Sequence, residues 1–243
     1  MLELNKTYKA LNKAVGQALH RYNMISDGDR IVVGVSGGKD SMTLMHMLSE
    51  RQARIPVRYE LFAVHIDPGF EGGFSEPLKN YCEKQGFVLR VEHTDYGVMG
   101  HSPANRENPC FLCSRLRRKR LFEIARELDC SKVALGHNKD DIIETLFLNI
   151  FYAGEISTMV PSQTFFQGIF TVIRPLAFAD ESLINMFARD QELPEFINPC
   201  PSAKNSKRQQ IKALLNDLYR SNKKIKGNIF RSLSHVRTDY LLK

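Results

Sequence analysis

The chain is 243 residues long, with 43% hydrophobic and 25% charged residues, which is ordinary for a globular protein with one large domain and at most a small appendage. No segment approaches the roughly 20 apolar residues that a bilayer span needs. The amphipathic first residues lack the apolar centre of a signal peptide. We therefore expect a cytoplasmic protein with no membrane partner.

The net charge of +7 is concentrated at the end of the chain, because residues 204–243 contain eleven Lys and Arg against two Asp. A mildly acidic body with a basic end indicates a polyanionic partner, with RNA the first candidate. A solvated basic helix is the alternative. The five cysteines are an odd number, which argues against a disulfide framework and favours metal binding or catalysis by clustered cysteines.

Helical and strand-type hydrophobic patterns alternate along the chain. In chain order they predict a helix over 4–23, a strand over 30–35, a helix that opens at 36–41, a strand over 61–66, a helix over 76–85, a strand over 88–92, a polar loop over 95–109, a helix containing 121–128, a strand over 132–135, a helix containing 143–150, and helices over 180–190 and 206–223.

This alternation predicts an α/β fold with a doubly wound, Rossmann-like parallel sheet and a helical C-terminal extension. We expect an N-terminal helix at 1–25, an ATP-binding α/β domain at 26–178 and a basic helical region at 179–243. Ligands of such sheets bind beyond the carboxyl ends of the strands. Three polar segments follow predicted strands directly, so we expect them to form one nucleotide site.

The first of these segments, residues 36–41, reads Ser-Gly-Gly-Lys-Asp-Ser. Its adjacent glycines let the backbone turn sharply and expose N–H groups. Those amides, the two serine hydroxyls and the N-terminus of the next helix form a cradle for an anion, to which the lysine adds a cation. The spacing differs from the Walker A and GxGxxG patterns. A glycine turn with a helix cap is the alternative.

Carboxylates near this loop are candidates for Mg²⁺. Asp40 would repel bare phosphate, so its use is to hold Mg²⁺ or to cap the helix. In the later segment GHNKDD, we assign Asp141 to the metal and Asp140 to the helix cap. Gly136 and His137 of that segment are expected beside the nucleotide, with His137 either contacting phosphate or bonding the loop.

The predicted strand 61–66 ends at the same edge, which puts Ala63 and His65 near the adenine; ordinary strand packing is the alternative. Residues predicted to act in catalysis are Lys39, Asp40 and Asp141.

Three cysteines stand in comparable motifs. Cys110 and Cys113 form a CxxC pair, and Cys200 lies in Asn-Pro-Cys-Pro. Structural zinc normally takes four protein ligands, whereas three thiolates suit a [4Fe-4S] cluster with one iron open to an exogenous sulfide. Zinc with His101 as the fourth ligand is the alternative.

Five cations crowd the first turns of the helix that follows the CxxC pair: Arg115, Arg117, Arg118, Lys119 and Arg120. Each exposed cation near a helix N-terminus costs about 0.3–1 kcal/mol, so we expect an anion there: ATP phosphate, sulfide or RNA backbone. A solvated basic face is the alternative. Residues predicted to bind RNA phosphates are Arg115, Arg117, Arg118, Lys207 and Arg208.

The loop SGGKDS resembles that of the PP-loop ATP pyrophosphatases, which have the adenine nucleotide alpha-hydrolase type of fold, adenylate a carbonyl oxygen and release pyrophosphate. The segments NPCFLCSRLRR, ALGHNKDDIIETLFLN, VIRPLAF and NPCPSAKNSKRQQIKALL resemble the tRNA 2-thiocytidine synthetase family in order and spacing. The resemblance implies sulfur transfer to C2 of a cytidine in the tRNA anticodon loop. It also implies ATP, Mg²⁺ and a [4Fe-4S] cluster as cofactors, sulfide from a cysteine desulfurase, and a homodimer.

Carried onto this chain, the resemblance implies that Cys110, Cys113 and Cys200 are the cluster ligands. The ATP loop that it implies is Ser36, Gly37, Gly38, Lys39, Asp40 and Ser41. One departure is Ala203, where the family often has a further cysteine. Two alternative functions stay open: another PP-loop tRNA enzyme, such as a uridine 2-thiolase or a lysidine-type amine ligase, and a nucleotide-binding iron–sulfur sensor without turnover.

Overall fold

The computed structural model describes residues 5–204 and 206–242, with the backbone alone for residues 203 and 204. Residues 1–4, 205 and 243, which the predicted helices and domains include in part, lie outside the described residues. Within the described part, six strands form one sheet: β1 (Asp29–Gly34), β2 (Tyr59–Asp67), β3 (Leu89–His93), β4 (Lys132–Ala134), β5 (Ser162–Phe165) and β6 (Phe170–Ile173).

The described residues also form nine α-helices, which alternate with the first strands. These are α1 (Lys6–Arg21), α2 (Lys39–Gln52), α3 (Ser75–Lys84), α4 (Tyr96–Gly100), α5 (Pro109–Glu127), α6 (Lys139–Tyr152), α7 (Glu181–Asp190), α8 (Lys207–Ser221) and α9 (Ile225–Ser232).

The sheet has the strand order β3-β2-β1-β4-β6-β5, with every pair parallel except the antiparallel β5–β6 hairpin. The order reverses between β1 and β4, and the crevice at such a switch point is where open α/β sheets bind their ligands. The segment 36–41 follows β1, and the segment 136–138 follows β4. The predicted doubly wound sheet is confirmed.

The pattern of buried residues explains why both faces of the sheet are covered. In β1, Ile31 and Val33 belong to one apolar cluster, whereas Val32 between them belongs to another on the opposite face, because successive side chains of a strand point to opposite sides. The first cluster contains side chains of α1, α2 and α7, and the second contains side chains of α5.

One local prediction was wrong, and one pair of strands was not predicted. The polar loop predicted over 95–109 contains the short helix α4, which two buried glycines, Gly97 and Gly100, pack closely against neighbouring chain. The stretch before residue 175 contains the β5–β6 hairpin, which the sequence patterns did not predict. Each of its strands has four residues, and β5 is only partly buried, so alternation over so short a run gives little signal.

The chain forms two compact units: Met1–Asn138 with Val160–Ala203, and Lys139–Met159 with Lys204–Lys243. The first contains the sheet. The second contains α6, α8 and α9 around its own small core of Ile143, Ile211 and Leu215. These units interleave along the chain, whereas the division predicted from the sequence follows chain order and stays a prediction.

Candidate functional site

The phosphate loop, residues 36–41, is held by hydrogen bonds between its own residues. The backbone N–H of Ser36 donates to Ser41 Oγ at 3.0 Å, and Ser41 Oγ donates to the Gly38 carbonyl at 2.9 Å. The two serine hydroxyl oxygens lie 3.1 Å apart. Gly38 is the N-cap of α2 and has no side chain with which to bond the first helical amides. These amides are therefore available to an anion, as at other helix N-termini.

Two glycines allow the close packing of this loop. Gly37 has φ +76°, and a Cβ there would lie 2.4 Å from the Phe74 ring. Gly136, after β4, approaches the first turn of α2 so closely that a Cβ would lie 2.9 Å from the backbone of Asp40 and Ser41. Because the backbone cannot move aside as a side chain can, Gly136 fixes the distance between the two strand ends.

The charged residues of the loop already have protein partners. Lys39 Nζ lies 3.1 Å from Glu181 Oε1 and 3.7 Å from Asp40 Oδ2. Asp40 Oδ1 accepts a 3.0 Å hydrogen bond from the Nδ2 group of the buried Asn138. The carboxylate of Asp40 is thus oriented by a residue from the end of β4, which is the support that a metal-binding carboxylate requires.

A cavity of about 330 Å³ adjoins the phosphate loop. It is lined by Ser36 and Gly38 of the loop, by the end of β2, by Arg117 of α5, and by Asn198 and Pro199, which directly precede Cys200. The loop that suits phosphates and the segment that carries the third cysteine therefore border the same space.

His65 is the predicted site residue that closes the β2 side of this cavity. It is 2% exposed, and its Nδ1 donates to the Val35 carbonyl at 2.7 Å. Burial lowers the pKa of His65, with the hydrogen bond to Val35 acting in the opposite direction and the charge of Arg117 reinforcing the decrease. A neutral His65 with its tautomer fixed by Val35 follows. Ala63 is buried in the apolar core, and its contact with adenine stays a prediction.

Arg117 lines the cavity and follows Cys113 by about one turn of α5. Its charge lowers the pKa of both His65 and the Cys113 thiol, so the guanidinium is near each of them. Its Nε is buried and has no hydrogen-bond partner among the described residues. A buried, unpaired N–H is costly, and this one borders a cavity that suits an anionic ligand.

The three cysteines of the two motifs belong to the first unit, and both Cys110 and Cys200 act on the pKa of Cys113. Burial raises the pKa of the Cys113 thiol, the charge of Arg117 lowers it, and Cys200 and Cys110 raise it further. Cys110 is exposed, whereas Cys113 and Cys200 are half-buried. Within the described residues, no three His, Cys, Asp or Glu side chains form a group that could hold a single metal ion. The other two cysteines, Cys82 and Cys130, are buried in the apolar clusters.

His101, the alternative fourth ligand, is bonded at both ring nitrogens. Nδ1 donates to the Gly97 carbonyl at 2.9 Å, and Nε2 lies 2.7 Å from Ser202 Oγ. With Nδ1 protonated, Nε2 accepts from the serine hydroxyl. His101 therefore joins α4 to the segment just after Cys200. Both ring nitrogens with which it could bind a metal are already hydrogen-bonded.

The remaining acidic candidates belong to the second unit and are ion-paired there. Arg208 Nη1 lies 3.0 Å from Asp141 Oδ1 and 3.3 Å from Glu144 Oε2. Lys226 Nζ lies 2.6 Å from Asp140 Oδ1. The assignment of Asp141 to Mg²⁺ and of Arg208 to RNA stays a prediction, and each role would require the pair to open.

The remaining cations predicted to bind RNA occupy different settings. Lys207 Nζ lies 4.2 Å from the centroid of the Tyr152 ring, and Arg115 lies 3.1 Å from Glu107. Arg118 is exposed and has no ion pair among the described residues.

Sequence reasoning missed three residues of the site. Asn138 and Glu181 bond the loop residues Asp40 and Lys39, and Arg174 donates from Nε to His137 Nδ1 at 3.3 Å. Burial, and then the charge of Arg118, lowers the pKa of Arg174 to about 10. Asn138 stands inside GHNKDD, where its position directly after a strand was an available signal. Glu181 and Arg174 reach the site only through the tertiary fold.

Within the described residues, none of the helices combines the length and the hydrophobicity that a membrane span requires.

Comparison with known proteins shows which family this chain resembles. A family model described as a PP-loop domain matches residues 6–218. The tRNA-cytidine(32) 2-sulfurtransferase of Geotalea daltonii is 41% identical over 239 residues, which cover 97% of this chain and 94% of the relative. The enzyme of the same name from Geobacter sulfurreducens is 41% identical over 241 residues, with 98% and 94% covered.

Among solved structures, the U34-tRNA thiolase NcsA from Methanococcus maripaludis with its [4Fe-4S] cluster superposes with a TM-score of 0.78 at 26% identity. The match covers 95% of this chain and 80% of that one.

Proposed function

Because the chain belongs to the PP-loop family, and within it to the family of the tRNA-cytidine 2-sulfurtransferases, we propose that it is an ATP-dependent tRNA sulfurtransferase. It adenylates the C2 oxygen of a cytidine at position 32 and replaces that oxygen with sulfur. The observation that carries the proposal is the shared cavity, which borders the phosphate loop, Arg117 and the residues before Cys200. A base in this space could meet both ATP and a sulfur donor.

The phosphate loop fits a nucleoside triphosphate. Its N-terminal helix amides have no side-chain cap, and its glycines leave room for an anion at the backbone. Lys39 binds phosphate by exchanging Glu181 for the ligand, since the two anions compete for one ammonium group. Asp40, oriented by Asn138, is the residue in this unit that would hold Mg²⁺.

The cysteines fit a [4Fe-4S] cluster better than one zinc ion. Three thiolates suit a cluster with one iron left open, whereas structural zinc normally takes four protein ligands. The chain offers three motif cysteines, while His101 is engaged by Gly97 and Ser202. Cys110, Cys113 and Cys200 would hold the cluster, which would supply an open iron site at which exogenous sulfide can bind.

The chemistry needs ATP because an amide-like oxygen at C2 is a poor leaving group. In the first step the C2 oxygen attacks the α-phosphorus of ATP, the bond from that phosphorus to the bridging oxygen breaks, and pyrophosphate leaves. In the second step sulfide attacks C2, and the C–O bond breaks with release of AMP. Negative charge develops on the departing AMP oxygen, and the Arg117 guanidinium would stabilise it.

Nucleoside analysis tests this function. Protein reconstituted with iron and sulfide under anaerobic conditions is incubated with ATP, Mg²⁺, sulfide and unmodified tRNA, and the digested tRNA is examined by mass spectrometry. We expect 2-thiocytidine that depends on ATP and disappears in Cys200→Ala. The matched control, Cys130→Ala, removes a buried cysteine outside the two motifs and should retain the product.

Other outcomes would select the alternatives. A 2-thiouridine or lysidine product would assign the chain to a different PP-loop tRNA enzyme. If tRNA stimulated no pyrophosphate release at all, the chain would be a nucleotide-binding sensor without turnover.

A further inference from the structure

An apolar groove with a basic rim lies on the first unit, between α5 and the β5–β6 hairpin. Its volume is about 920 Å³. The apolar lining comes from Phe122 of α5 and from the hairpin, and the cations of the rim come from the exposed side of α5. We call this surface the α5–hairpin groove. The proposed chemistry, at the phosphate loop and the cysteines, makes no use of it.

Four phenylalanines of the groove form one connected cluster. The ring centroids of Phe165 and Phe170 lie 5.5 Å and 5.3 Å from the ring centroid of Phe122. Phe166, at the hairpin tip, contacts Phe122 edge-to-face at 5.4 Å and Phe170 at 6.2 Å. Phe166 nevertheless remains 58% exposed. A large ring is therefore held in place by its neighbours while more than half of its surface contacts solvent.

The backbone of the hairpin turn that carries Phe166 is strained. Phe166, Gln167 and Gly168 have φ values of 52°, 57° and 93°. The first two are side-chain-bearing residues in the left-handed region, which costs roughly 1–2 kcal/mol per residue. Ile169, in the same turn, is 64% exposed. A turn that accepts strain in order to expose two large apolar side chains favours a contact with a partner over a role in folding.

The rim of the groove carries four cations and one carboxylate. Arg115, Arg118, Lys119 and Arg126 line it together with Glu123. Lys119 lies 3.8 Å from Glu123, whereas Arg118 and Arg126 have no ion pair among the described residues. The charge of Arg118 also lowers the pKa of the buried Arg174, after the larger effect of burial.

A second copy of the chain fits this surface poorly. In a twofold dimer a patch packs against the same patch of the partner, so the cations of one rim would face those of the other. Like-charge juxtaposition across an interface costs several kcal/mol. An anionic partner with flat apolar rings satisfies both features, because phosphates pair with the rim and a base stacks on Phe166.

We propose that the α5–hairpin groove binds the tRNA substrate outside the cavity that receives the reacting nucleotide, with an unpaired base stacked on Phe166 and the flanking phosphates paired with Arg118 and Arg126. This inference rests on the proposed function for the identity of the RNA. Along the axis of α5, at about 1.5 Å per residue, Arg118 lies about 8 Å and Phe122 about 14 Å beyond Cys113. The groove therefore begins near the cysteine pair and extends to the hairpin tip, which lies at the amino-terminal ends of the parallel strands because Phe170 comes before the residue of β6 that pairs with the start of β4.

The experiment measures the affinity of the reconstituted full-length protein for unmodified tRNA over a series of salt concentrations. Phe166→Ala should weaken binding about tenfold with an unchanged salt dependence, because stacking releases no counterions. Phe166→Trp should restore the affinity. Arg118→Gln and Arg126→Gln should each lower the slope of log affinity against log salt by about one.

Matched controls are Val88→Ala and Arg58→Gln, which alter an exposed apolar side chain just before β3 and an exposed cation just before β2, neither of which lines the groove. Both should bind tRNA like the wild type. Wild-type affinity in Phe166→Ala would overturn the proposal. So would a Phe166→Ala protein that loses self-association in sedimentation but keeps its tRNA affinity, because the groove would then be a subunit interface.

The nucleoside analysis separates this inference from the proposed function. If the wild type makes 2-thiocytidine and the groove variants bind tRNA normally, the groove assignment fails and the function stands. If the wild type binds tRNA through Phe166 and the two arginines but thiolates no base, the groove stands and the function fails.

Discussion

The phosphate loop and the cysteine segments differ in how their geometry is held. Residues 36–41 are bonded to one another, packed against Gly136 and oriented by Asn138. The cysteines come from the first turn of α5 and from an irregular segment near residue 200; one is exposed and two are half-buried. The first region is preorganised for its ligand, whereas we expect the second to take its final arrangement from the proposed cluster.

We infer from this difference that ATP binding and cluster binding can be impaired independently by substitution. Metal binding contributes folding free energy where ligands come from loosely held segments. A nucleotide loop bonded to itself needs no such contribution. Substitutions at one region should therefore leave the ligand of the other in place, and the following predictions test that separation.

The largest effect is expected from Cys200→Ala. Removing this proposed cluster ligand should lower thiolation by more than about 100-fold, since even neighbours of metal ligands contribute 10–100-fold. The dissociation constant for ATP, measured by calorimetry, should change less than about twofold. A comparable loss of ATP affinity would show that the two regions are coupled and would contradict the comparison.

Acid should act on the helix behind the phosphate loop. Burial lowers the pKa of His46, on α2, from 6.5 to about 4, and its Nε2 lies 2.9 Å from the Tyr81 hydroxyl. Between those two pH values the unfolded chain binds a proton that the folded chain excludes, so stability falls as the pH falls. The loss over the window is about 3 kcal/mol.

Urea unfolding at pH values from 4 to 7 measures this loss. The variant His46→Gln should show a shallower decrease over the same range. An equally steep decrease in the variant would assign the pH dependence to other groups.

Gly136→Ala should damage the phosphate loop. The new Cβ would lie 2.9 Å from backbone atoms of α2, and such overpacking costs about 1–3 kcal/mol. We expect a lower melting temperature and ATP binding weakened about tenfold, with the iron content per folded chain unchanged. The control Gly227→Ala, where a Cβ would contact nothing within 4 Å, should be neutral or stabilising because the site is helical.

His101→Phe should act on the cysteine side alone. It removes the bond to Ser202 that joins α4 to the segment after Cys200. Iron should be lost to a chelator about tenfold faster, in line with the effect of residues that orient metal ligands. The affinity of the His101→Phe variant for ATP is the internal reference and should be unchanged. An unaltered rate of iron loss would mean that Cys200 is positioned by other contacts.

Asn138→Ala should have the smallest effect. It removes the 3.0 Å hydrogen bond that orients Asp40, and a bond to a charged group contributes about 1.5–3 kcal/mol, part of which a water molecule can replace. We expect an increase of about fivefold in the Mg²⁺ concentration that gives half-maximal pyrophosphate release. An increase in the tRNA dissociation constant instead would place Asn138 in a different role.

The same comparison explains which features the sequence could predict. The apolar run around Val32 and the glycines of the phosphate loop are local signals, and both predicted their structures. The hairpin at Phe166 has strands too short for a periodic signal. Pairs such as Lys39 with Glu181 depend on long-range packing and have no local pattern at all.

The CxxC pair was recognisable by its spacing, but the approach of Cys200 to Cys113 was not, because 87 positions of chain separate them. What joins them is the fold, in which His101 holds the segment after Cys200 near α4. The comparable motifs around the three cysteines grouped them from the sequence, and the resemblance to a family assigned them as cluster ligands.

Oxygen tracing tests the central claim, adenylation of the C2 oxygen, most directly. A tRNA carrying ¹⁸O at C2 of cytidine 32 is thiolated with unlabelled ATP, and the released nucleotide is examined by mass spectrometry. The account predicts one ¹⁸O atom in AMP for each 2-thiocytidine formed, with none in pyrophosphate. Label in inorganic phosphate together with ADP, or AMP free of label, would contradict adenylation of the base.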